Sequence, residues 1–490
     1  MHDIRDYFAS GKRLGFFNVA FSARATGESA WLLLGLTGMG YAVGAKAFWV
    51  VLGEVLGVAM AWLFMARRFK RLTDRYDAIT VPDYFEARFR ESSHVLRLIA
   101  AFALMVFVPI YAGAQVFATG TAFHAFLGWD HLLGAAVGFG VVMLYITQGG
   151  FTAVVWSDVF QGSLMVLGLV ALPLVAMAAG GGFGEVTAAV AAIDPHLLSL
   201  HGPGDDGPSS GGWDVGTIVS ILGFAAIGIG FMGSPQVFVR FVSMKDEKQI
   251  LPGTITAVTW TILADSGAVL VGLFGRALFA PEDLGGNVDN ILPTMAQGLL
   301  PAFVSGVFIA MVLSAIMSTI DSLLVVAASA GVRDYWQRSR HPEMGDERLV
   351  ALSRKVTLVL SLLAFAIGIG IMLYDRENGV FWTIIFGWSG IAATFCPTVI
   401  LSLFWSGLTA RGAKGAMIAG FLAVPLFKFA APPLLRAAGQ DAWVGYLADL
   451  DVLLPSFLIG FAVAILLSLT DRAGRAHLEG VREDLRAAGE

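Results

Sequence analysis

Six ionisable side chains lie inside long apolar runs: Arg24, Glu28, Glu54, Asp158, Asp265 and Asp321. A charge placed in hydrocarbon costs a few kcal/mol or more, so each is a candidate for binding or moving an ion or a solute. Plainer roles stay open. Arg24 and Glu28 are four residues apart and on a helix can neutralise each other. Asp158 follows Trp156-Ser157 at the start of an apolar run, where a carboxylate can cap a helix. Glu54 and Asp265 stand alone in sequence and read first as hydrogen-bonded or boundary residues. Further along, Ala315, Ser318, Thr319 and Ser322 recur at three- and four-residue spacing and share one helix face. Their hydroxyls can bond back to the preceding turn. They can equally offer oxygen to a hard cation such as Na⁺.

Two of the apolar runs carry marks of a break. The first reads Phe21-Ser22-Ala23-Arg24-Ala25-Thr26-Gly27-Glu28-Ser29-Ala30-Trp31, small and polar residues around a central glycine. The sixth carries Gly228-Ile229-Gly230-Phe231-Met232-Gly233-Ser234-Pro235. Glycine and proline at this density tolerate or impose an interruption. Interrupted spans at matching positions of two halves point to a transporter built from inverted repeats, with free carbonyls for Na⁺ and half-helix ends facing the solute. Two merely flexible helices are the alternative.

The elements that must hold these residues follow from composition. Of the 490 residues, 57% are hydrophobic and only 14% charged, and the mean hydropathy is +0.74. Soluble chains are about a quarter charged, so this is an all-α integral membrane protein. Continuous apolar runs exclude a β-barrel, whose strands alternate. The runs fall at roughly 15–35, 46–66, 97–126, 132–149, 155–180, 215–234, 252–277, 302–330, 353–374, 379–404, 414–432 and 453–470. That predicts about twelve transmembrane helices, numbered here as spans 1 to 12. A polar segment, 1–14, leads into span 1 without a cleavable signal pattern, and 471–490 forms a polar tail. Of the 32 Lys and Arg residues, only Lys46, Arg276, Arg376, Lys428 and Arg436 fall in the outer segments or the outer ends of spans, and only Arg24 lies deep within a span. The rest lie on one side, which predicts both termini in the cytoplasm.

Between the spans, Arg67–Arg97 is a basic loop containing Thr80-Val81-Pro82-Asp83-Tyr84, and Gly180–Gly212 is a Gly/Pro/Ser-rich outer loop with a short helix expected near Val186–Ile193. The one cysteine, Cys396, excludes an intrachain disulfide. There is no Walker or dinucleotide motif and no paired metal motif, so ATP-driven transport and an enzyme have no support. Nothing points to nucleic acid or to an obligatory protein partner.

The chain resembles the sodium:solute symporter family, most closely its sodium/proline symporters. The likeness rests on Asp6-Tyr7-Phe8, Ser29-Ala30-Trp31-Leu32-Leu33, Val81-Pro82-Asp83-Tyr84-Phe85, Gly149-Gly150-Phe151, Trp156-Ser157-Asp158, Pro235 with Arg240-Phe241, and Ala315 to Ser322. It implies a leucine-transporter-like five-plus-five inverted repeat, with repeat one at about 15–180, repeat two at about 215–404 and two extra helices at about 414–470. It implies a sodium site on Ala25 and Glu28 through their carbonyls and on Ala315, Ser318 and Thr319. A second sodium site of some members matches Asp158, Asp321 and Ser322. The substrate positions of the family fall on Ser29, Ala30, Trp31, Tyr111, Gln115, Phe231 and Pro235. Proline symporters carry an Asp in place of Gly27, an uncharged residue in place of Glu28, and a Trp and a Tyr in place of Ile227 and Phe231; members usually have one more helix before Asp6.

The resemblance implies a multi-pass protein of the plasma (inner) membrane, with Na⁺ as coupling ion. It implies import of a small organic solute, proline or another amino-acid-like or carboxylate-bearing compound, by alternating access. Two rivals remain at this point: proton coupling through Glu28, Asp158 or Asp321, and a transporter-like membrane sensor.

Overall fold

A computed structural model describes residues 10–204, 212–337, 343–374 and 379–489, with the side chains of 145–150 and of residue 346 left out. The Asp6-Tyr7-Phe8 segment, Arg376 and part of the outer loop lie outside the described residues, and Gly149 and Gly150 are described by backbone alone. Among the described residues every element is helical; Leu14 and Met244 make a single isolated bridge. Among the described residues, ten helical segments are long and apolar enough to cross a membrane. The first, Phe16–Arg75, holds spans 1 and 2. Span 4 is the exception to its expected shape. Its apolar part, His131–Leu144, is short, and it runs on as helix into span 5, so that His131–Ala179 is continuous.

Both expected interruptions are present, and they differ in form. Span 1 is helical over Phe16–Ala30, then π-helical over Trp31–Leu36, then α-helical over Thr37–Val43. Its break is a single residue, Ser29, at φ 48° and ψ −164°. A non-glycine residue held there stores strain of about 1–3 kcal/mol. Span 6 breaks over a longer stretch: helix over Val215–Ala226, a 3₁₀ segment over Ile227–Met232, and a fresh helix over Pro235–Ser243. Proline opens that second half without loss, because the first-turn N–H has no helical partner anyway.

The second half of span 6 corrects the sequence reading of Arg240. Counted as a cytoplasmic loop residue, it lies inside the span and is fully buried. The apolar run ends at Ser234-Pro235, but the helix that proline starts does not.

Small residues let the broken spans pack closely. A Cβ on Gly57 or Gly53 would run into the carbonyls of Gly228 and Ala225, so span 2 lies backbone to backbone against the break of span 6. Gly272 likewise meets the span 1 backbone at Thr37 and Tyr41. Such contacts hold helices together where lipid supplies no hydrophobic drive. Span 1 is enclosed by spans 5, 7 and 8. On the basic side, Thr80 caps the helix Val81–Phe89 by accepting from the Asp83 N–H at 3.0 Å. Arg88 on that helix donates to the Ser402 carbonyl at 2.9 Å, anchoring it beneath span 10. The outer-loop helix, Phe183–Ile193, covers the expected one.

Candidate functional site

The break in span 1 frees backbone groups, and one side chain takes them up. Gln115 of span 3 accepts the Ala30 N–H at 3.1 Å and donates its amide to Ser29 Oγ at 3.2 Å. Three of the expected substrate residues therefore meet: Ser29, Ala30 and Gln115. Trp31 turns back, its indole N–H donating to the Gly27 carbonyl at 2.9 Å, with its ring 6.0 Å from that of Phe381.

Beside this break, span 8 reaches span 1 through its hydroxyls. Ser318 Oγ donates to the Ala25 carbonyl at 2.9 Å and to the Ala315 carbonyl at 2.9 Å. Thr319 Oγ1 donates to the Thr26 carbonyl at 3.2 Å and to the Ala315 carbonyl at 3.3 Å. Five oxygens thus converge: three carbonyls and two hydroxyls, all buried. Such a set suits a hard monovalent cation, provided each hydroxyl turns its proton away. Four of the five expected positions are brought together. At the fifth, the Glu28 carbonyl accepts the Trp31 N–H, and Thr26, absent from the expectation, stands in its place.

Asp158, Asp321 and Ser322 also come together, but around a guanidinium. Arg240 Nη2 lies 3.0 Å from Asp158 Oδ2 and 2.7 Å from Ser322 Oγ. Its Nε donates to Ser22 Oγ at 2.7 Å, it donates also to Thr26 Oγ1, and Ser22 Oγ donates to Asp158 Oδ2 at 2.5 Å. Ser322 Oγ is 3.4 Å from Asp321 Oδ1. The arginine's charge stands among the expected ligands, and the cluster links spans 1, 5, 6 and 8.

Aromatic rings close the space beyond the break. Phe231 sits 5.0 Å from Trp388, centroid to centroid, and Tyr111 sits 6.4 Å from the same ring. The Trp388 indole donates to the Ile227 carbonyl at 3.0 Å, fixing it on the broken part of span 6. A Cβ on Gly27 would strike Phe231, so the glycine is what admits that ring. Pro235 is not part of this group. It lines a small cavity toward the basic side with Thr80, Leu104, Phe151 and Asp334.

Sequence reasoning missed one cluster. Arg24 Nη2 pairs closely with Glu28 and lies 3.1 Å from Glu54 Oε2 and 3.7 Å from Asp265 Oδ2. All four side chains are buried. The guanidinium stands 4.5 Å over Phe231 and 5.5 Å over Trp260. Glu54 and Asp265, taken as isolated, meet Arg24 because span 7 packs on span 1 and span 2 packs on span 7. Trp260 and Trp388 were missed as well; only their place in apolar runs marked them.

Comparison with known proteins places the chain in a family and a fold. The sodium:solute symporter family model matches residues 7–420. The chain is 31% identical over 489 residues to the osmoregulated proline transporter OpuE of Bacillus subtilis (strain 168), covering 99% of this chain and 93% of that protein. It is 30% identical over 480 residues to the sodium/proline symporter of Escherichia coli (strain K12), covering 97% and 89%. Among solved structures, a Na⁺-coupled sialic acid symporter in a substrate-bound outward-open state matches with a TM-score of 0.77 at 20% identity, over 96% of this chain and 92% of that one. The likeness to solved structures carries the leucine-transporter-like five-plus-five fold.

Proposed function

Since the chain belongs to the sodium:solute symporter family, we propose that it is a sodium-coupled secondary symporter of the plasma membrane. It imports a small amino-acid-like solute, proline or another carboxylate-bearing compound, with both termini in the cytoplasm. It is a transporter and not an enzyme. The observation that carries the reading is the reach of Ser318 and Thr319 from span 8 to the Ala25 and Thr26 carbonyls, one turn before the break at Ser29.

Sodium at this place ties span 1 to span 8. Inward movement of each charge gains about 2.3 kcal/mol per 100 mV before the concentration term. Bound sodium holds the outward-open form and orders the break at Ser29, where the solute's polar end meets Gln115 and the backbone. Coupling is reciprocal, so the solute tightens sodium binding by the same factor. Span 6, packed at its break on span 2, then rocks together with span 1 against the rest to expose the site inward.

One sodium per cycle fits best, because Arg240 already supplies a positive charge among Asp158, Asp321 and Ser322. The test is uptake into proteoliposomes at fixed membrane potential, with Na⁺ and pH varied separately. Uptake that follows pH alone rejects sodium for protons. Binding without net flux rejects transport for sensing.

A further inference from the structure

We propose that Arg24, Glu28, Glu54 and Asp265 form a charge-recognition subsite of the solute pocket, so that the imported compound carries a net positive charge, as a basic amino acid does. The inference rests on the symport reading and names its substrate class.

Formal charge is the first argument. One guanidinium faces three carboxylates, all at most 1% exposed. Among the described residues, Arg24 is the one cation acting on Glu54 and on Asp265. With every carboxyl ionised, the formal count leaves two negative charges in a low-dielectric place, where uncompensated charge costs several kcal/mol. Sodium beside Ala25 and Thr26 offsets one. A solute of charge +1 offsets the other.

Unused hydrogen-bonding capacity is the second, independent argument. Arg24 is fully buried, yet its Nε and Nη1 donate no hydrogen bond, and Asp265 accepts none at either oxygen. Glu54 Oε1 is likewise without a partner. Buried polar groups are normally satisfied. The free Arg24 donors fit a solute carboxylate, and the free oxygens of Glu54 and Asp265 fit an ammonium or guanidinium group.

Position is the third. The guanidinium lies against Phe231, which the glycine at 27 admits and which packs on Trp388. Phe231 and Trp260 make an aromatic wall suited to a cation, and that wall already holds one in Arg24. No free metal ion is needed here, because Arg24 Nη2 occupies the centre of the three carboxylates.

The test uses the purified full-length protein, with lysine, arginine, norleucine and proline as probes. Norleucine matches the lysine chain without its ammonium. Lysine or arginine should raise the thermal midpoint in the presence of Na⁺, and should enter proteoliposomes with kcat/KM at least tenfold above norleucine and proline. D265N and E54Q should raise KM for lysine at least tenfold while the Na⁺ concentration for half-maximal stabilisation stays within twofold, and D265E should restore much of the loss. The comparison of probes on the wild-type chain needs no variant to fold. Stabilisation by Na⁺ with proline or norleucine preferred over both cations overturns the subsite. So does Na⁺ stabilisation without any effect of lysine or arginine. Failure of Na⁺ itself to stabilise the protein overturns the symport reading instead.

Discussion

Gln115 accepts the Ala30 N–H directly after the strained Ser29, at 3.1 Å and out of contact with solvent. One side chain on span 3 thus fixes where span 1 breaks. Replacing it by leucine orphans a buried donor, which costs about 1–3 kcal/mol. Gln115→Leu should lower the thermal midpoint and raise KM for the solute, whereas Gln115→Glu keeps an acceptor for Ala30 and should lose less. Equal losses in the two variants would remove the Ala30 bond as the cause.

Ser318 and Thr319 carry the sodium proposal. Removing either hydroxyl takes away one of five oxygens, and a tenfold weaker site corresponds to about 1.4 kcal/mol. Ser318→Ala and Thr319→Ala should each raise the Na⁺ concentration for half-maximal uptake roughly tenfold, with uptake at saturating Na⁺ largely kept. An unchanged sodium dependence in both would take span 8 out of the site.

What the sequence made legible follows from how far each signal reaches. The number of spans, the broken pair and the hydroxyl face of span 8 are local patterns of hydropathy, glycine and three-to-four spacing. The meeting of Arg24 with Glu54 and Asp265 is not local. It depends on how span 7 packs on span 1 and span 2 on span 7, and single carboxylates in apolar runs do not encode that. Arg240 was misplaced for a related reason: Pro235 ends one hydrophobic run and starts a second helix, and the run alone shows only the ending. Thr26 was passed over because its contribution to the oxygen set is a carbonyl, which any residue type supplies.

Outside the membrane, Asp289 gives the protein a pH response. It sits in the outer loop after span 7, and its Oδ2 accepts the Val380 N–H at 2.8 Å, tying the loop to the start of span 10. Burial pushes its carboxyl up to about 6, while the bond from Val380 pulls it down by less. In the unfolded chain an Asp titrates near 4. Between those values the folded protein holds the extra proton, so stability falls as pH rises from about 4 to about 6. The difference in thermal midpoint between wild type and Asp289→Asn should follow that sign and level off above pH 6. A difference that grows with pH instead would refute it.

Asp158 and Arg240 make the sharpest case, because two readings of the same residues diverge. If Asp158 ligates a second sodium, neutralising it lowers the number of ions per solute. If it answers Arg240, the stoichiometry is unchanged and the loss is one of stability, since removing one member of a buried pair costs roughly 3–5 kcal/mol. The 3.0 Å contact, with Ser22, Thr26 and Ser322 around the same guanidinium, favours the second reading. Asp158→Asn and Arg240→Gln should each lower the thermal midpoint strongly, and the double variant should lie well above the sum of the two losses. Ion-to-solute ratios measured from reversal potentials in proteoliposomes should match between wild type and Asp158→Asn. A ratio that drops by one sodium in Asp158→Asn, with additive stability losses in the cycle, would return the site to sodium and leave Arg240 a bystander.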